Sequence, residues 1–170
     1  MTVFAPFDGT KPVTDVEALL AFVGSRPAIV FLGGAPADLD PAPIPAPILV
    51  PVDLAQAWHD RLAGRKRPWL AVYRLAPLMA KMPHVHAEIA KEIAALLAAF
   101  GVEHLLLTPG DPADPAYAAQ APTLHPGIVN ALIEEGLSDD QIRRLLGGNL
   151  TRILRSLRSP PPGNKAPRRR

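Results

Sequence analysis

The stretch Leu124–Leu157, LHPGIVNALIEEGLSDDQIRRLLGGNLTRILRSL, contains a complete run of helix start and stop signals. Ile128, Leu132 and Ile133 give one apolar face to a first helix, which Gly136 stops. Ser138, followed three residues later by Gln141, reads as a capping box that opens a second helix. Gly147-Gly148 ends that helix, and Asn149 stands where a cap is expected for a third, whose apolar face is Leu150, Ile153, Leu154 and Leu157. The predicted close of the chain is a cap of three short helices.

Upstream, helical and strand patterns alternate. Thr14 with Glu17 forms a second capping box before Val16, Leu19, Leu20 and Val23, and Gly24 closes that helix. Ala28–Leu32 (AIVFL), ended by Gly33-Gly34, has the unbroken apolar character of a strand buried on both faces. Ile48–Val52 is a short strand, after which Asp53 is placed to cap a helix containing Leu54, Trp58 and Leu62. Gly64 and a basic Arg65-Lys66-Arg67 turn follow, and Trp69–Tyr73 is a third strand. His84–Phe100 is an Ala-rich helix with Ile89, Ile93, Leu96, Leu97 and Phe100 at helical spacing and Gly101 at its C-terminal cap. Val102–Thr108 (VEHLLLT) is the last strand, with His104 as a core histidine. This order predicts an α/β fold of about four mostly parallel strands with flanking helices. Residues 1–158 form the expected single domain, with a Pro-rich loop at 35–47, and residues 159–170 the expected disordered basic tail.

Composition bounds the function. The chain has 170 residues and 48% hydrophobic content, enough for one domain with a real core. The formal net charge is +2, but Lys165, Arg168, Arg169 and Arg170 lie in the tail, and without these four the rest of the chain stands at −2. A nucleic-acid partner is therefore not expected. With no cysteine, disulfides, thiol nucleophiles and thiolate metal sites are excluded. No signal peptide and no run of about 20 apolar residues is apparent, so a cytoplasmic protein without a membrane partner is expected.

The run Gly136-Leu-Ser138 to Ile142, Leu145, Gly147-Gly148-Asn149 and Arg152 resembles the closing segment of the renal-type membrane dipeptidase family, zinc peptidases of the amidohydrolase superfamily. There a pattern G-x-S-x-x-x-I-x-x-(I/L)-x-G-G-N-x-x-R follows the last barrel strand. Gly101, Glu103, His104, Leu105 and Leu107 match the family's preceding strand pattern, so the likeness covers residues 84–158. The resemblance implies a partial TIM-like barrel, a catalytic role for Asp111 near the family's strand-end aspartate, and zinc as cofactor. However, the sequence has no His-x-Asp pair of the kind that holds the family's two zinc ions. Nor can 170 residues supply a full barrel, which needs roughly 200 or more.

Other candidates come from the residues themselves. His84-Val85-His86 would chelate a metal from an extended segment, whereas a helix beginning at His84 would turn the two rings about 200° apart. Asp111 and Asp114 follow the last strand, where α/β folds place their sites, yet Asp among Pro and Gly is also ordinary turn chemistry. Gly33-Gly34 lacks a dinucleotide-binding spacing. The expected function is that of a reduced, non-catalytic, dipeptidase-like accessory or binding protein. The alternatives are a small metal-dependent hydrolase using His84, His86 and Asp111, and an unrelated α/β interaction module. Open sheet edges would favour a homo-oligomer or a partner chain.

Overall fold

The computed structural model describes residues 2–5, 9–12, 16–25, 27–33, 40–75, 83–108 and 126–158. The Thr14 cap, Gly34, Asp111, Asp114, His125, part of the Pro-rich loop and the basic tail lie outside these residues.

Six strands form one sheet. β1 (Thr2–Ala5) and β2 (Gly9–Pro12) pair antiparallel, and β1 lies antiparallel to β3 (Ile29–Phe31). β3, β4 (Ile48–Pro51), β5 (Trp69–Arg74) and β6 (Leu105–Thr108) are parallel and adjacent in chain order. These four are the strands read from the sequence. The β1–β2 pair was not, because Thr2–Ala5 and Gly9–Pro12 lack the unbroken apolar character by which the equally short β3 and β4 were read; Asp8-Gly9 was the one hairpin signal there.

Apart from Arg74 and Thr108 at the ends of β5 and β6, the parallel strands are apolar at every position because both faces are covered. On one face, Val30, Ile48, Val50, Ala71, Tyr73, Leu105 and Leu107 join a large core with residues of the helices. These are α1 (Val16–Ser25), α2 (Val52–Ala63), α3 (His86–Phe100), α4 (Pro126–Glu134) and α5 (Asp139–Arg143). On the other face, Ile29, Phe31, Leu49, Leu70, Val72 and Leu106 pack on Ile153 of α6 (Asn149–Arg158). The three closing helices therefore cap both faces. Between β3 and β4 no helix crosses in the described part; Ile44 and Ala46 of the Pro-rich segment enter the helical-face core instead. No described helix is long and apolar enough to cross a membrane.

Local chemistry sets the element ends. Ser138 and Gln141 form the expected capping box: the Ser138 amide donates to Gln141 Oε1 (2.8 Å) and the Gln141 amide to Ser138 Oγ (3.4 Å). Gly101 ends α3 with φ +80°, a backbone that L side chains rarely adopt. Asp53 is not a cap. α2 starts directly from β4, with Pro51 at the cap position, and Asp53 sits in the first turn, where its charge suits the helix dipole. The last strand is also shorter than expected, since Val102–His104 is a single 3₁₀ turn and moves His104 off the strand.

The Gly-Gly-Asn segment differs most from its reading as a cap. After α5 the chain makes a wide turn over Arg144–Gly148, in which Gly147 has φ +143°, and this turn lies along β6, the edge strand. The chain thereby passes from the helical face, where Ile142 and Leu145 are buried, to the opposite face, where Ile153 is buried. Asn149 is helical in backbone and 2% exposed. Its carboxamide donates to the carbonyls of Val102 (2.6 Å) and Leu105 (2.8 Å) instead of accepting from its own helix. Arg152 Nη2 adds a bond to the Glu103 carbonyl at 2.6 Å. The edge of β6 is thus covered by the chain itself, which removes one of the two open edges from which self-association was expected.

A helix cap accepts Asp as readily as Asn, whereas a donor to two carbonyls does not. Asn149→Ala should therefore cost about 2 kcal/mol or more, through two buried carbonyls left unpaired. Asn149→Asp should cost more still, because a carboxylate would face two carbonyl oxygens. Denaturant midpoints of the two variants check this; an Asp variant as stable as wild type would restore the cap.

Tyr73 on β5 donates to Glu92 Oε2 on α3 at 2.7 Å. Burial foremost, and then the bond to Glu92, push its pKa well above the ordinary tyrosine value of 10.0. A raised folded pKa gives stability that is complete below about pH 10 and is lost as pH rises above it, where only the unfolded chain ionises. Tyr73→Phe should therefore be less stable than wild type by about 1 kcal/mol at pH 7. The gap should narrow above pH 10, as urea midpoints at pH 7 to 11 would record.

Candidate anion-binding cleft

The loop between α2 and β5 packs two guanidinium groups and an ammonium into five residues, Arg65-Lys66-Arg67-Pro68-Trp69. Arg65 turns inward. Its Nη2 donates to the Ile44 carbonyl (2.7 Å) and the Ala46 carbonyl (2.9 Å), tying the Pro-rich segment to this loop, while its Nη1 is closed off from solvent without a partner. Burial and, second, the neighbouring Arg67 lower the Arg65 pKa to about 10, with Asp40 acting in the opposite sense. Lys66 is exposed and Arg67 half-buried, and neither has a hydrogen-bond or ion-pair partner among the described residues.

Trp69 opens β5 and carries His104 flat on its indole, the rings 4.4 Å apart and inclined by 18°. A proton on His104 Nδ1 lets it donate to the Trp69 carbonyl at 3.2 Å. Phe100 and His59 meet the same indole edge-on, at 6.3 and 6.0 Å. Of this block, Trp69 and His104 line a cleft of about 350 Å³ at the N-terminal ends of β5 and β6. Lys66, Arg67, His104 and Arg152 line it and, among the described residues, no carboxylate does, so its field favours an anion. Arg152 and Ser156 reach it from α6, and Ser156 Oγ is committed to the Ile153 carbonyl at 2.7 Å.

The residues singled out in the sequence lie elsewhere. His84 is exposed on a 3₁₀ turn (Pro83–Val85), whereas His86 is the first residue of α3, 5% exposed and engaged with a partner of its own. The two rings thus differ in surroundings, as expected when helical turns begin before His86. Among the described residues no three His, Asp or Glu side chains converge as a metal-ligand set. Gly33 is exposed at the end of β3. The cleft itself was missed: the Arg-Lys-Arg run was visible only as a turn, and nothing local ties it to His104 or Arg152. No known protein family, curated protein or solved structure gives a significant match to this chain.

If the His104 ring serves mainly as a packing plate, His104→Ala should cost about 1 kcal/mol and change the tryptophan emission, while His104→Phe keeps most of the stability. Thermal melts read by fluorescence check this; equal losses for Phe and Ala would assign the weight to the Trp69 carbonyl bond.

Proposed function

We propose that this protein is a reduced relative of the renal-type membrane dipeptidases that acts as a non-catalytic binding protein, with the cationic cleft as its binding surface. The relationship is supported by the staple: the two segments that resemble the family, Gly101–Leu107 and Gly147–Arg152, are bonded to each other through Asn149 and Arg152. The sequential order β3-β4-β5-β6, with α2 and α3 crossing on one face between β4, β5 and β6, is also compatible with the winding of a (β/α) barrel.

The binding role rests on one observation, a cleft lined by cations with no carboxylate among its described residues. A zinc site needs the opposite lining, and His84 and His86 do not point into common surroundings. An accessory role through strand addition would use β2, the other outermost strand. Its Lys11 and Pro12 are residue types that discourage such pairing, so a small ligand fits better than an added strand.

Metal analysis and a dipeptide hydrolysis assay test the proposal on the purified chain after incubation with zinc and dialysis. The expected result is substoichiometric zinc, unchanged by His84→Ala, and no turnover above background. Stoichiometric zinc that is lost in His84→Ala, together with hydrolysis, would replace this reading with the metal-dependent hydrolase.

A further inference from the structure

A second cleft of about 370 Å³ adjoins the cationic one, and the two share Arg67 and Ser156. Its lining is mixed: Val23, Pro27, Ala28, Pro45, Ala46 and Leu157 contribute carbon, and Ser25, Arg67 and Ser156 contribute polar groups. A cationic lobe and a lobe with an apolar side at Pro27, Ala28 and Leu157 therefore meet at Arg67, a half-buried guanidinium with no hydrogen-bond or ion-pair partner among the described residues.

We infer that the joined clefts bind a small organic oxyanion, a phosphate or carboxylate head carrying a compact apolar group. The head would be held between Arg67 and Lys66, and the apolar group would lie against Pro27 and Leu157. This inference deepens the binding reading above and rests on it.

Several features favour this class over others. A metal cation would meet the like charges of Lys66, Arg67 and Arg152. A bare inorganic anion would use the charged lobe alone and leave the apolar one in water. A polyanion needs cations spread along a track, and these are confined to one loop and one helix. Guanidinium and ammonium together suit an oxyanion, the first through its fork of donors and the second as a point charge. An anion at Arg67 would also screen its repulsion of the buried Arg65, in the same sense as Asp40.

Calorimetric titration of the full chain with phenyl phosphate, phenylacetate and inorganic phosphate tests the inference. At least one phenyl-bearing anion should bind about tenfold or more tightly than inorganic phosphate, because only it fills both lobes. The tighter of the two identifies the head. Arg67→Gln and Lys66→Gln should each weaken that binding by about tenfold while leaving the melting temperature unchanged, since neither side chain has a hydrogen-bond or ion-pair partner among the described residues. Added sodium chloride should weaken it as well.

The inference is overturned by any of three results: inorganic phosphate binding as tightly as the phenyl-bearing anions, which would mark an adventitious ion only; Arg67→Gln binding like wild type; or affinity confined to anionic phospholipid vesicles or RNA. None of these depends on zinc or on turnover, so the metal assay decides the binding reading separately.

Discussion

The carboxamide of Asn149, closed over the carbonyls of Val102 and Leu105, holds the point at which the chain rounds the edge of its sheet. A chain that changes faces must carry its polar backbone past an edge strand whose own groups are unpaired on that side. Gly147 supplies the backbone conformation for the turn, and at Gly148 an added Cβ would stand 3.0 Å from the Arg143 carbonyl. The asparagine then supplies donors to carbonyls that would otherwise be buried unsatisfied. Two further features depend on this crossing: the covering of β6, and the delivery of α6 to the second face of the sheet.

The position of α6 in turn determines what the cleft contains. Ile153 fills the centre of the second face, with Leu150 and Leu157 beside it, and burying each such side chain is worth about 2 kcal/mol. The helix is thereby fixed in register, with Arg152 and Ser156 turned toward the α2–β5 loop. On the loop side, Arg65 reaches under the Pro-rich segment and holds two of its carbonyls, so Lys66 and Arg67 project from a rigid base. Burial foremost, and then the neighbouring Arg67, lower the Arg65 pKa to about 10, while Asp40 acts in the opposite sense. Lys66 and Arg67 stand on that support with no hydrogen-bond or ion-pair partner among the described residues.

The elements legible in the sequence were those set by neighbours along the chain. The Ser138–Gln141 box, the stops at Gly101 and Gly136, and the four apolar strands all follow from spacing within a few residues, and the structure contains each of them. Asn149 shows where such reasoning ends. The same residue type serves as an acceptor at a helix cap and as a donor to a neighbouring strand, and only the position of Val102 and Leu105, more than forty residues away in the chain, decides between them. His104 is a similar case, because alternation with Leu105 and Leu107 suggested a strand and the 3₁₀ turn placed the ring on Trp69 instead. The cleft was illegible for the same reason, since it joins the Arg65–Trp69 loop to residues 104, 152 and 156.

On the dipeptidase-like reading, the retained motif and the lost strands belong together. A parallel sheet covers its second face by closing into a barrel or by acquiring another layer, and four parallel strands are too few to close. Without a layer, Phe31, Leu49, Leu70, Val72 and Leu106 would face water. A motif that turns the chain tightly round the last strand and starts an amphipathic helix is what such a sheet needs to supply that layer from its own C-terminal segment. Its glycines and asparagine would then be kept for architecture even where no metal chemistry depends on them, which is how a family's closing signature could outlast its catalytic residues.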